Sequence, residues 1–441
     1  MITNSFPARR WTGVYLTVYS LYILAGMAVR IGGWMHDDAL VYTQSARRVL
    51  DGSFNIYGIL RNPEIAPPLG VTYAYSSFMT ILIAPFVGIA DWFKLGNIWA
   101  MRLIALPLLV ADVLAMQQLR YLARSLRPRV EERFLFVGIL LSLFITGFLL
   151  VTAYKSHIEG TVLLFILLAL RYLPRNILLS GVFAGLALSA KHMTALLGLV
   201  PIGVALLFYS RYGARGGLRA TLTWLGTSLA VFGGFLLPPI LYNPGAAYYA
   251  LVTQANRIGY VGPGLPRWAI NWLSANLISN DYLIAREFVL QYSSVFLVLV
   301  VGLVSLFVVW RQQVRGAPVS FDDTRLLGLV AFGSVAYILL AKWVSDSYFQ
   351  LPLALVFLWD VARKTPVARN VKAARFASVP WVGIGAAVAY QSINLLDPGA
   401  FTNMAQATAP WHMDALLFAL FAAISIMILR DLLRHPQPSQ A

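Results

Sequence analysis

Two adjacent carboxylates, Asp37 and Asp38, follow His36 directly after an apolar run over 11–34 in which Arg30 is the one charged residue. A carboxylate there suits a general base that takes a proton from a hydroxyl, provided it stays ionised at the working pH. Asp38 is placed to cap the helix that follows, which leaves Asp37 as the expected base. The segment TAYKSHIEG sets Lys155, His157 and Glu159 at alternate positions, and Lys191-His192 stands between two short apolar runs. Arg257, Arg267, Asp281, Arg286 and Glu287 share a long polar stretch, Lys342 and Asp346 precede Tyr348, and His412 lies near the end. Cations in such places suit the binding of an anion and the stabilisation of charge as a bond breaks. Lys191, Lys342 and Arg286 are the expected contacts to a phosphate, and Glu159 supports the base or holds a divalent cation. Each group also has a structural reading. Lys155 and Glu159 would close a turn as an ion pair, Lys191 would snorkel to the interface, and each histidine would sit solvated in a loop.

The elements that must position these groups are membrane helices. Of 441 residues 59% are hydrophobic and 12% charged, the balance of a polytopic membrane protein. A net charge of +16 raises the question of nucleic acid, but the Arg and Lys lie in short loops between apolar runs, without a basic face or tail. That placement is topological, because cytoplasmic loops are positive, and no nucleic-acid partner is expected. The absence of cysteine excludes disulfides, zinc-thiolate sites and cysteine nucleophiles.

The first span, 11–34, leads into a long loop over 35–97. Its opening reads as an amphipathic helix on the membrane surface, with Ala39, Tyr42, Ala46, Val49 and Leu50 on one face and Thr43, Gln44, Arg47 and Arg48 on the other. Arg47 and Arg48 are expected to touch lipid headgroups. Residues 78–90 are apolar but short and contain Pro85, so they read as interfacial. If they do not cross, the arginines of 120–133 fall inside, as the positive-inside rule prefers. Later spans read as 98–119, 134–153, 160–171, 177–190, 194–209, 221–241, 289–310, 326–341, 348–361, 379–396 and 415–430. The expectation is therefore an all-α polytopic membrane protein of about twelve transmembrane helices with both termini inside. Several middle runs fall short of the roughly 20 residues a bilayer needs, which predicts tilted or broken helices within the bundle. The chain divides into 1–241, with the long first outer loop, and 242–441, which opens with a second outer loop.

With this order of motifs the chain resembles the C-superfamily of glycosyltransferases, most closely glycosyltransferase family 87. The residues that carry the resemblance are Asp37-Asp38, Tyr42, Gly52, Tyr57, Pro67-Pro68, Tyr73 and Tyr75, then the apolar run with Pro85. Tyr154 to Glu159 is similar to the family's short acidic second outer loop, Lys191 with Pro201 to its lysine between two apolar runs, and Ser347-Tyr348-Phe349-Gln350-Leu351-Pro352 to its late segment. Tyr75-Ser76-Ser77 departs from the family in lacking a proline after the tyrosine. The resemblance implies a bundle with two juxtamembrane helices in the first outer loop. It also implies inverting transfer of a sugar, with mannose preferred, from a polyprenyl-phosphate donor to a lipid or glycan acceptor among the membrane lipids. Asp37, Asp38 and Glu159 are then the catalytic candidates. His36, Tyr42, Lys155, His157, Lys191, His192, Arg286, Lys342, Tyr348 and Gln350 are the substrate-binding candidates. Two other readings compete: a transporter or flippase of lipid-linked sugars, which needs acids inside spans, and a polysaccharide polymerase or ligase, which Arg257, Arg267 and Arg286 keep open.

Overall fold

In the computed structural model the described residues are 5–32, 37–58, 75–128, 130–143, 152–153, 156–208, 213–253, 264–276, 280–314, 324–341, 346–363, 380–396 and 411–434. They are 91% helical with no strand, so the bundle is all-α. In chain order the helices are α1 (Ser5–Gly32), α2 (Asp37–Leu50), α3 (Ser77–Trp92), α4 (Gly96–Leu103), α5 (Ala105–Leu126) and α6 (Glu132–Leu143). Then come α7 (Glu159–Tyr172), α8 (Ile177–Leu207), α9 (Gly213–Tyr242), the short α10 (Pro244–Tyr248), α11 (Leu265–Asn276) and α12 (Asn280–Val314). The chain closes with α13 (Thr324–Leu340), α14 (Gln350–Ala362), α15 (Trp381–Leu396) and α16 (Trp411–Leu433).

Among the described residues six stretches are long and apolar enough to cross a membrane: Trp11–Gly32, Gly96–Leu126, Ile177–Leu207, Gly216–Tyr242, Tyr292–Val314 and Ala415–Leu433. These are the helices of a helical membrane protein, and the apolar runs of the sequence, which number about twelve, do not all correspond to them. Part of the difference has a clear cause. The runs 177–190 and 194–209 are not two spans but the two halves of α8, which bends at Lys191. Another part is length. The short helices α7, α13 and α14 are apolar nearly all round and enclosed by other helices. A helix that is hydrophobic on every face belongs to the core of a bundle or spans a membrane. The outer helices instead expose one apolar stripe, as Leu218, Leu222, Leu225 and Leu229 do on α9 and Phe296, Leu299 and Leu303 on α12.

Helix α8 is the axis of the fold. It packs against α7, α9, α12 and α13, so helices before and after residue 241 share one apolar core. Glycines set some of these contacts: a Cβ on Gly333 of α13 would run into the Leu197 backbone of α8, and one on Gly185 into the Ser228 carbonyl of α9.

One end of the bundle gathers arginines. Arg120 pairs with Glu132 at 2.6 Å, Arg124 pairs with the same carboxylate, and Arg127 donates to the carbonyls of Val361 and Arg363 at 3.3 Å each. Arg171 lies 3.9 Å over the Tyr121 ring and donates to Gln118 at 2.7 Å. The ends of α5, α7 and α14 and the start of α6 thus meet there.

Helix α2 differs from the expected surface helix. Ala39, Tyr42 and Ala46 are buried as the apolar face requires, but so are Thr43 and Ser45, whose hydroxyls donate to the carbonyls of Ala39 and Val41 one turn back. Arg47 does not merely touch lipid. It forks onto Asp91 of α3, with Nε to Oδ2 at 2.9 Å and Nη2 to Oδ1 at 2.7 Å, and also reaches Asn97. That hydrogen-bonded pairing raises the Arg47 pKa above its ordinary value. The pair fastens α2 along α3, its main packing partner.

Candidate active site

Lys191 is buried in the middle of α8, where φ −156° and ψ 92° interrupt the helix. A sharp bend needs a cause, and a side chain inserted at the backbone ladder is one. Here Ser76, the N-cap of α3, donates its hydroxyl to the Ser189 carbonyl at 2.6 Å, just before the break. The extended residue carries its side chain toward α7. The Lys191 ammonium meets Glu159 Oε1 at 2.5 Å. It also lies 3.9 Å over the Tyr348 ring and 5.8 Å from the Tyr75 ring, a cation–π cage within the usual reach. Tyr337 of α13 lies 5.2 Å from the Tyr348 ring, tilted by 37° to it.

Glu159 is the first residue of α7 and almost wholly buried. Behind it Gly160 approaches Asp112 of α5 so closely that a Cβ would collide with the carboxylate. Asp112 is buried and accepts from the Tyr22 hydroxyl at 2.6 Å and from Gln350 Nε2 at 3.3 Å. In front of Glu159, His157 stands between two acids. Its Nε2 is 3.7 Å from Asp38 Oδ2, and its Nδ1 is 3.9 Å from Glu159 Oε2. Asp38, His157, Glu159, Lys191 and Tyr348 therefore form one continuous row drawn from α2, α7 with the turn before it, α8 and the turn before α14.

The turn is built by an arginine. Arg30, buried near the end of α1, donates to the Met101 carbonyl through Nε at 3.1 Å and Nη2 at 2.6 Å. It also donates to the Ala153 carbonyl at 3.0 Å and to Ser156 Oγ at 2.8 Å. Ser156 has φ +58°, a left-handed backbone that costs a residue with a Cβ about 1–2 kcal/mol.

Several expectations change on this geometry. Helix α2 begins at Asp37, so Asp38 sits inside the first turn rather than before it, and its carboxylate reaches across to His157. Lys191 does not snorkel to an interface, nor does it present a bare ammonium to a cavity, because Glu159 occupies one of its donors. His192 turns the other way, its ring 6.4 Å from Phe232 of α9. Tyr42 is buried in α2, and Arg286, half-buried in the first turns of α12, shows no contact with the row among the described residues. His36, Lys155, Arg257, Lys342 and the side chains of Asp37, Arg267, Glu287, Asp346 and His412 lie outside the described residues.

Asp112, Tyr337 and Arg30 join the site without having been expected there. A lone acid within the apolar run 98–119 is itself a signal for Asp112, since burying one is costly. His157 turns one ring nitrogen toward each acid, so these three side chains do not converge on one point, and the cation facing Glu159 is the Lys191 ammonium. Among the described residues no group of three or more metal-ligating side chains assembles. No family model matches the chain, and no curated protein matches it.

Proposed function

We propose that the protein is a membrane glycosyltransferase that moves a sugar from a polyprenyl-phosphate donor to a hydroxyl of a lipid or glycan acceptor, with inversion. The convergence of Asp38, His157, Glu159, Lys191 and Tyr348 from separate parts of the chain supports this reading most strongly. A structural ion pair needs two residues, whereas this row adds an acid, a histidine and aromatic rings beside the ammonium. The acceptor O–H attacks the anomeric carbon, a new C–O bond forms as the bond to the phosphate oxygen breaks, and Asp38 takes the proton. The phosphate leaves as its own anion and needs little protonation. The Lys191 ammonium has three donors, of which Glu159 takes one, so two remain for phosphate oxygens. Lys342 and Arg286 are proposed as further phosphate contacts, and mannose as the sugar.

The depth suits a lipid-borne donor. Lys191 is fourteen residues into α8, which places it ~21 Å from the helix end beside the arginines. If that end is cytoplasmic, the row lies toward the outer leaflet. The same end carries a test of topology. Ser125 is exposed near the end of α5, and Ser125→Cys is expected to stay unlabelled by an impermeant thiol reagent applied to intact cells and to react once the membrane is opened. Labelling from outside would invert the arrangement.

One observation favours a transporter of lipid-linked sugars instead: Asp112 is a buried acid within a span. The two readings separate in one assay. Purified protein in liposomes that hold a radiolabelled polyprenyl monophosphate sugar and a lipid extract as acceptor is expected to pass label to the acceptor with no gradient across the bilayer. Movement of the intact donor across the bilayer without new glycosidic product would sink the transferase.

A further inference from the structure

The Arg30 guanidinium joins the end of α1 to Met101 of α4 and to both Ala153 and Ser156, three residues apart in the chain. Nothing in the reaction requires a buried arginine in the first span. Simple bundle packing would be better served by an apolar side chain, because a buried charge is costly unless fully hydrogen-bonded. What the arginine holds is the residue immediately before His157. Ser156 carries a left-handed backbone that glycine would adopt without strain, yet the position keeps a hydroxyl, and that hydroxyl accepts from Arg30.

We infer that Arg30 and Ser156 form a clamp that fixes His157 between Asp38 and Glu159, making Arg30 a positioning residue of the site. The bonds to Ala153 and to Ser156 Oγ tie the residue before His157 to α1, and the imidazole faces one nitrogen to each carboxylate. Freed from the guanidinium, the turn can relax, and His157 leaves the midpoint. Asp38 then loses the ring that orients it. Small misplacement of an orienting group is costly to rate, because the reacting atoms must meet in a narrow geometry. The consequence for catalysis rests on the transferase reading, but the clamp itself does not.

The chain has no cysteine, so a thiol pair reports on the clamp alone. In the full-length protein carrying Asp38→Cys and His157→Cys, a short bifunctional thiol reagent is expected to join the two positions readily. Adding Ser156→Gly or Arg30→Met is expected to lower the yield severalfold, and Ser156→Asn to restore it, because asparagine tolerates the left-handed backbone and offers an acceptor. In the parent background, Ser156→Gly is expected to reduce kcat roughly 10-fold to 10²-fold with donor KM little changed. Should Arg30→Met fail to fold, Ser156→Gly, which relieves backbone strain, decides. A cross-link yield unchanged by Ser156→Gly overturns the clamp. Parent protein that transfers no sugar overturns the reaction and leaves the cross-link result standing.

Discussion

Replacing Asp38 by asparagine is expected to lower sugar transfer by about 10²-fold or more, the loss typical of removing a general base. Asparagine keeps the size and hydrogen-bonding capacity of the side chain but cannot take the acceptor's proton. The geometry favours Asp38 because its Oδ2 lies 3.7 Å from His157, whose other nitrogen faces Glu159. The carboxylate is partly open, with 28% of its side chain exposed, so an acceptor hydroxyl can reach it. Because the contact is not fully buried, the change in stability should be at most about 1 kcal/mol. Loss of transfer with an unchanged melting temperature is the expected pairing. The comparison that decides is Asp37→Asn in the same membranes, which should retain turnover. If Asp37→Asn loses transfer and Asp38→Asn keeps it, the base is Asp37, and if both stay active this loop does not hold the base.

The second large effect belongs to Lys191 and Glu159. Their 2.5 Å contact is buried, with 9% and 1% of the side chains exposed. Removing one partner leaves the other charge in the interior, which typically costs about 3–5 kcal/mol. Lys191→Met and Glu159→Gln are each expected to lower the melting temperature markedly and to abolish detectable transfer. The double variant replaces both charges and should recover a large part of the stability, because no uncompensated charge remains. It should not recover transfer, since the donors proposed for the phosphate are gone. That divergence separates a pair that only holds helices together from one that also acts on substrate. A Lys191→Met protein with parental stability and parental transfer would remove the residue from both roles.

The two predictions rest on different layers of information. Which residues interrupt the apolar runs is legible along the chain, because charge in an otherwise apolar sequence stands out. Asp38, His157, Glu159 and Lys191 are visible that way and Tyr348 by its segment's resemblance, and the structure brings them within contact distance of one another in a row. The helical membrane class follows from apolar runs too, since only helices or closed barrels satisfy the backbone in lipid. The span count does not follow. A gap of three residues at 191–193 looks like a turn between two runs, but its backbone breaks at one residue and continues as α8.

What the amino-acid sequence determined by itself is therefore the class of protein and the identity of the polar residues that a bilayer tolerates only for a reason. Tertiary structure alone decided how they pair. Ser76 binds the carbonyl just before the bend at Lys191 from 113 positions away. Glu159 holds the ammonium of Lys191, 32 positions away. Arg30 binds Ser156 across 126 positions, and Asp112 meets Gln350 across 238. Local pattern carries no trace of such pairings, because each is enforced by a carbonyl or charge that exists at that point only after the helices have packed.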